Sequence, residues 1–141
     1  MKVRLNRENN GFHFVAHSES GNTVSMDAGK AIGGEDLGVR PMEILLMALG
    51  GCSGIDVVSI LKKQKQEIRN FTIEVDGERE AGKEPSLYRN IEVVFSIDGE
   101  LDATKVKRAV ELSMDKYCSV AKTLEHTAEI KYHVELNGVR I

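Results

Sequence analysis

At 141 residues the chain is long enough for one domain with a substantial core and short for two. A hydrophobic share of 41%, a charged share of 29% and a net charge of −3 are ordinary for a globular protein. They exclude an electrostatic case for nucleic acid, and no basic run lies beside exposed aromatics. A single domain over residues 1–141 is expected.

The N-terminus, Met1-Lys-Val-Arg-Leu-Asn-Arg-Glu, alternates charged and aliphatic residues and reads as a strand with no apolar signal-peptide core. The cytoplasm is therefore the expected compartment. Val3 and Leu5 share one face, as do Phe12, Phe14 and Ala16, and then Val24, Met26 and Ala28. Asn9-Asn10-Gly11 and Ser20-Gly21-Asn22 supply the intervening turns. A glycine-rich connector over 29–40 has no periodicity; its length fits either a mobile flap or an ordered site loop.

Pro41 suits the first position of a helix, which the spacing extends to about Gln66, with Lys62, Lys63 and Lys65 near its C-terminal end. The stretch 42–61 is the least polar of the chain, yet Glu43, Asp56 and three glycines interrupt it. A buried central helix is expected rather than a membrane span. Because that helix is apolar on nearly every side, one domain of this size has trouble covering it, and a homodimer sandwiching it is expected. Gly50 and Gly54, four apart, leave a groove where a second backbone could approach; cover from the chain's own sheet and second helix is the alternative.

Phe71, Ile73 and Val75 mark a fourth strand, and Ile91, Val93, Phe95 and Ile97 a fifth. Asp102 is the expected N-cap of a second helix, with Val106, Ala109, Val110, Ser113 and Tyr117 on one stripe. A short third helix begins near Cys118, and a last strand carries Ile130, Tyr132, Val134 and Leu136 up to Asn137-Gly138. The order βββ-α-ββ-αα-β, with antiparallel sheets packed on a central helix, is an α+β fold.

Cys52 and Cys118 are the chain's two cysteines, each on an expected helix. Small buried hydrophobes are one reading of them, and a redox pair joined by folding is the other. At the first turn of a helix, free N–H groups and the dipole would stabilise a Cys118 thiolate. Cys52, mid-helix, gets no such help, so as a nucleophile it would need a cation from elsewhere in the fold. No metal or cofactor is expected. There is no CxxC pair, and His13 and His17 on one strand stand about 13 Å apart, too far for one zinc ion. Asp56, one turn after Cys52, has no assigned role.

Pro41-Met-Glu-Ile-Leu-Leu-Met-Ala-Leu-Gly-Gly-Cys-Ser-Gly-Ile-Asp56 and Tyr117-Cys118-Ser119-Val120-Ala121 resemble the two signatures of the OsmC/Ohr family, and within it the small YhfA-type branch. The resemblance runs through essentially the whole chain. It implies an OsmC-like fold and an intertwined homodimer with sites at the subunit interface. It also implies a thiol peroxidase acting on organic hydroperoxides in oxidative stress defence. Carried over, Cys52 matches the peroxidatic cysteine and Cys118 the resolving one. An external dithiol, lipoyl-protein or thioredoxin-like, would reset the pair. Two departures stand out. The stretch Glu8-Asn-Asn-Gly-Phe12 lacks the arginine the peroxidases carry there, and Met42 follows the helix proline where they have an acidic residue. Glu43, one residue on, and Arg40 are the candidate supporting residues. Glu43 also fits a cap of the helix N-terminus, and Arg40 a solvated loop charge. These departures keep a second function open: a non-enzymatic dimer that binds a small apolar ligand or serves as a thiol redox sensor.

Overall fold

The computed structural model describes residues 1–141, which divide into two compact units, 1–45 and 46–141. The first holds a three-stranded antiparallel sheet of β1 (Val3–Arg7), β2 (Phe14–Ser18) and β3 (Thr23–Met26) in that order. Its register pairs Leu5 with Ala16 and Ala16 with Val24, joining the residues of the alternating pattern across the strands. Phe12 lies before β2, in the turn that Arg7 clasps by donating to the Asn10 and Gly11 carbonyls.

The glycine-rich connector is an ordered loop. Buried Asp27 accepts from the backbone N–H groups of Ala28, Glu35 and Leu37 at 2.7–3.1 Å, which holds its carboxyl below the usual carboxylate range, Leu37 contributing most. The glycines permit the close return of the chain. A Cβ on Gly34 would sit 1.9 Å from the Ala28 carbonyl oxygen, and one on Gly38 2.5 Å from that of Ser25.

Helix α1 (Pro41–Lys63) begins in the first unit and continues through the second. It stops three residues short of the expected end, at a turn where Lys65 adopts a positive φ of 55°. The second sheet has the order β4 (Asn70–Arg79), β5 (Tyr88–Asp98), β6 (Glu129–Leu136) and β7 (Val139–Arg140). β7 is a two-residue strand beyond the Asn137-Gly138 turn, one strand more than the sequence pattern predicts. The expectation of purely antiparallel sheets is corrected here: β5 and β6 run parallel, while β4–β5 and β6–β7 are antiparallel. The reason lies in the connection. Parallel neighbours need a long crossover, and helices α2 (Ala103–Leu112) and α3 (Ser119–Leu124) supply it.

Ile91, Val93, Phe95 and Ile97 of β5 are all buried, with the Phe95 and Phe71 rings 6.3 Å apart. Val106, Ala109 and Val110 of α2 and Leu49, Val57 and Leu61 of α1 complete the core. Each of the larger side chains adds about 1.5–3 kcal/mol by leaving water. Asp102 caps α2 as expected, accepting from Lys105 N at 2.9 Å.

The glycine groove of α1 is filled from within the chain. A Cβ at Gly50 would meet Val75 at 3.2 Å, and one at Gly54 would meet Ile73 at 2.6 Å, so these glycines seat β4 and not a second backbone. A stripe of α1 beside the glycines stays open: Met47, Ile55 and Val58 are 55%, 73% and 42% exposed. By length and hydropathy α1 could also cross a membrane, a test that core helices of globular proteins equally pass.

Candidate functional site

α1 presents Cys52 and Asp56 one turn apart on the same face. The third participant arrives through a break in regular helix. α2 runs into a π turn, Ser113–Tyr117, closed by Cys118 N donating to the Ser113 carbonyl at 2.8 Å. Such a turn inserts one residue per hydrogen-bonded ring and rotates everything after it. Tyr117, expected on the buried stripe, is therefore 49% exposed, while Ser113 and Met114 are buried. Cys118 then leaves helical geometry, at φ −67° and ψ 101°, and becomes the N-cap of α3, its sulfur accepting from Ala121 N at 3.4 Å.

The structure brings Cys52 and Cys118 together. Their sulfurs and a carboxylate oxygen of Asp56 lie within 4.8 Å of one another, with Cys118 fully buried and Cys52 half-buried. Ser113 Oγ donates between the Ser53 carbonyl oxygen and Asp56 Oδ2, each 3.2 Å away, so it holds the carboxylate in place. Ser53, itself buried, donates to the Leu49 carbonyl at 2.8 Å. A cleft of about 620 Å³ opens beside Asp56, walled by Ile60, Lys63, Leu112 and Tyr117.

The expected ionisation of Cys118 is corrected by this geometry. Burial pushes its thiol from 9.0 up to about 11; the Ala121 N–H pulls the other way, and the adjacent Cys52 thiol adds to the rise. The N-cap position does supply a donor, but loss of water outweighs it. Cys118 is thus held as a protonated thiol behind the more accessible Cys52.

Arg40 and Glu43 are engaged in building the first unit. Glu43 Oε2 accepts from Arg40 N at 2.8 Å, which caps the start of α1. The Arg40 guanidinium donates to the carbonyls of Asp27 and Gly38 and pairs with Asp36 at 2.5 Å. Sequence reasoning noticed Asp56 without a task for it, although the four-residue spacing from Cys52 was a usable signal. Ser113 lies on the core stripe as expected, and nothing local in the sequence announces the π turn that sets the direction of Cys118.

The family model described as "OsmC-like protein" matches residues 33–133. The chain belongs to the OsmC family. Protein YhfA of Escherichia coli K12 is 40% identical over 127 residues, 89% of this chain and 91% of YhfA. A solved structure of a hypothetical protein from Aquifex aeolicus is 32% identical and superposes with a TM-score of 0.79 over 96% of both chains. The fold also extends to an organic hydroperoxide resistance protein OsmC of Legionella pneumophila, 13% identical, with a TM-score of 0.71 over 95% of both chains.

Proposed function

We propose that this OsmC-family chain is a thiol-dependent peroxidase that reduces organic hydroperoxides with Cys52 and Cys118. The observation that carries the reading is the approach of a half-buried and a fully buried thiol to within 4.8 Å, on elements far apart in sequence. Cys52, as thiolate, attacks the terminal peroxide oxygen; the O–O bond breaks, the alcohol leaves with a proton, and Cys52 becomes a sulfenic acid. Cys118 then forms the S–S bond, its proton and the sulfenic hydroxyl leaving as water. An external dithiol, lipoyl-protein or thioredoxin-like, restores both thiols by exchange.

In this reading Arg40 and Glu43 support the site by fixing the loop and the start of the helix that bears Cys52. Residues 1–141 act as one domain, a second copy covers the open stripe of α1 to form a homodimer, and the compartment is the cytoplasm, where free thiols persist. A second reading has its own support in the cleft beside Asp56, walled by Ile60, Leu112 and Tyr117: a non-enzymatic dimer that holds a small apolar ligand or senses redox state.

The two readings part on catalysis. Pre-reduced protein is expected to consume an alkyl hydroperoxide faster than hydrogen peroxide, and Cys52→Ser to abolish consumption. Equal consumption by Cys52→Ser rules the mechanism out. Negligible consumption by the unaltered protein, with a ligand-dependent rise in thermal stability, favours the binding dimer.

A further inference from the structure

The redox reading leaves one member of the cluster unused. Asp56 offers a carboxylate oxygen within 4.8 Å of both sulfurs, so three donors from two segments converge on one point. In a tetrahedral zinc site, Zn–S near 2.3 Å and Zn–O near 2.0–2.2 Å set donor-to-donor edges of about 3.4–3.8 Å. The observed separations, all within 4.8 Å, exceed that range by no more than about 1.4 Å. Two soft thiolates select zinc over magnesium or calcium. The site also has the features a metal centre needs around its ligands. Ser113 Oγ donates to Asp56 Oδ2 at 3.2 Å, a contact of the kind that orients a ligating side chain. Of the three donors, Asp56 also lines the cleft, so solvent reaches the carboxylate side of the cluster.

We propose that the reduced protein binds one Zn²⁺ per chain through Cys52, Asp56 and Cys118, with the fourth position taken by water. Binding replaces the two thiol protons with the metal, and both protons go to solvent. Metal and disulfide are then alternative states of the same sulfurs. A hydroperoxide that takes two electrons from the zinc-bound thiolates, together with two protons, yields an alcohol, water, the Cys52–Cys118 disulfide and free Zn²⁺. That release step rests on the peroxidase reading, whereas the binding step does not.

The test is a titration of the anaerobic, pre-reduced full chain with Co²⁺ as spectroscopic probe, followed by displacement with Zn²⁺. Saturation is expected at one ion per chain, with a thiolate-to-cobalt charge-transfer band that Zn²⁺ abolishes. Asp56→Asn is expected to bind at least about tenfold more weakly, the lower end of what losing even an outer-shell partner costs. Oxidised protein is expected to bind no ion. Zn²⁺ is also expected to protect both thiols of the unaltered protein from alkylation, a readout that holds even where a variant folds poorly. Absence of the charge-transfer band overturns the proposal. So does unchanged affinity in a folded Asp56→Asn variant, or alkylation equally fast with and without Zn²⁺. A protein that consumes no peroxide but passes the titration loses the peroxidase reading alone.

Discussion

Oxidation of the pair changes the stability of the protein by an amount that follows from where the two cysteines stand in the chain. A Cys52–Cys118 bond closes a loop of about 66 residues, and removal of that freedom from the unfolded chain is worth about 4 kcal/mol at most. At roughly 2.1 cal/mol/K per residue, the unfolding entropy of a chain of this length is about 0.3 kcal/mol/K. The disulfide therefore raises Tm by up to about 13 °C when it forms without strain. Sulfurs within 4.8 Å must close to about 2.05 Å, a movement that side-chain rotation can supply. The assay is thermal unfolding of fully oxidised and fully reduced protein followed by circular dichroism, with Cys118→Ser as a control that reductant leaves unchanged. A Tm equal in both states, or lower in the oxidised one, refutes a relaxed bridge between α1 and the start of α3.

Two further predictions come from burial. The Cys118 thiol titrates near 9.0 in the unfolded chain and near 11 in the fold, so the folded state holds its proton longer. The associated stability is complete below pH 9 and is lost as pH rises through 11, about 2 kcal/mol of it by pH 11 at 1.36 kcal/mol per pH unit. Urea unfolding of reduced, metal-free protein at pH 8.5 and 11 is expected to show this loss relative to Cys118→Ser, and an equal loss in both proteins contradicts it. On the open stripe of α1, Ile55→Asp places a charge on a side chain that is 73% exposed in one chain. Within a dimer that covers the stripe it costs about 2 kcal/mol or more, and sedimentation is expected to shift from dimer to monomer. A variant that stays dimeric removes this stripe from the interface.

Much of the fold could be read from the sequence because its signals are local. The alternation in β4 and β5, Pro41 and Glu43 at the start of α1 and Asp102 before α2 each constrain their own neighbourhood, and the structure places them as read. Longer-range geometry was harder to read. The parallel pairing of β6 depends on the path of the crossover, and the partners of Gly50 and Gly54 depend on where β4 lands. In the site, the meeting of Cys52 with Cys118 was anticipated through the family signatures. Its electrostatics depend on burial: the helix start favours a Cys118 thiolate, but complete burial outweighs it. The π turn at Ser113–Tyr117 explains the remaining difference: one inserted residue turns Tyr117 outward of the stripe that Ser113 still follows.

The redox chemistry of the pair is tested most directly by adding one equivalent of an alkyl hydroperoxide to metal-free, pre-reduced protein, then counting thiols and mapping peptides without reductant. The account predicts two thiols lost and one alcohol formed per peroxide, with Cys52 and Cys118 recovered in a single intrachain cross-linked peptide. Peroxide consumption that leaves Cys52 and Cys118 unlinked, or no consumption at all, contradicts it.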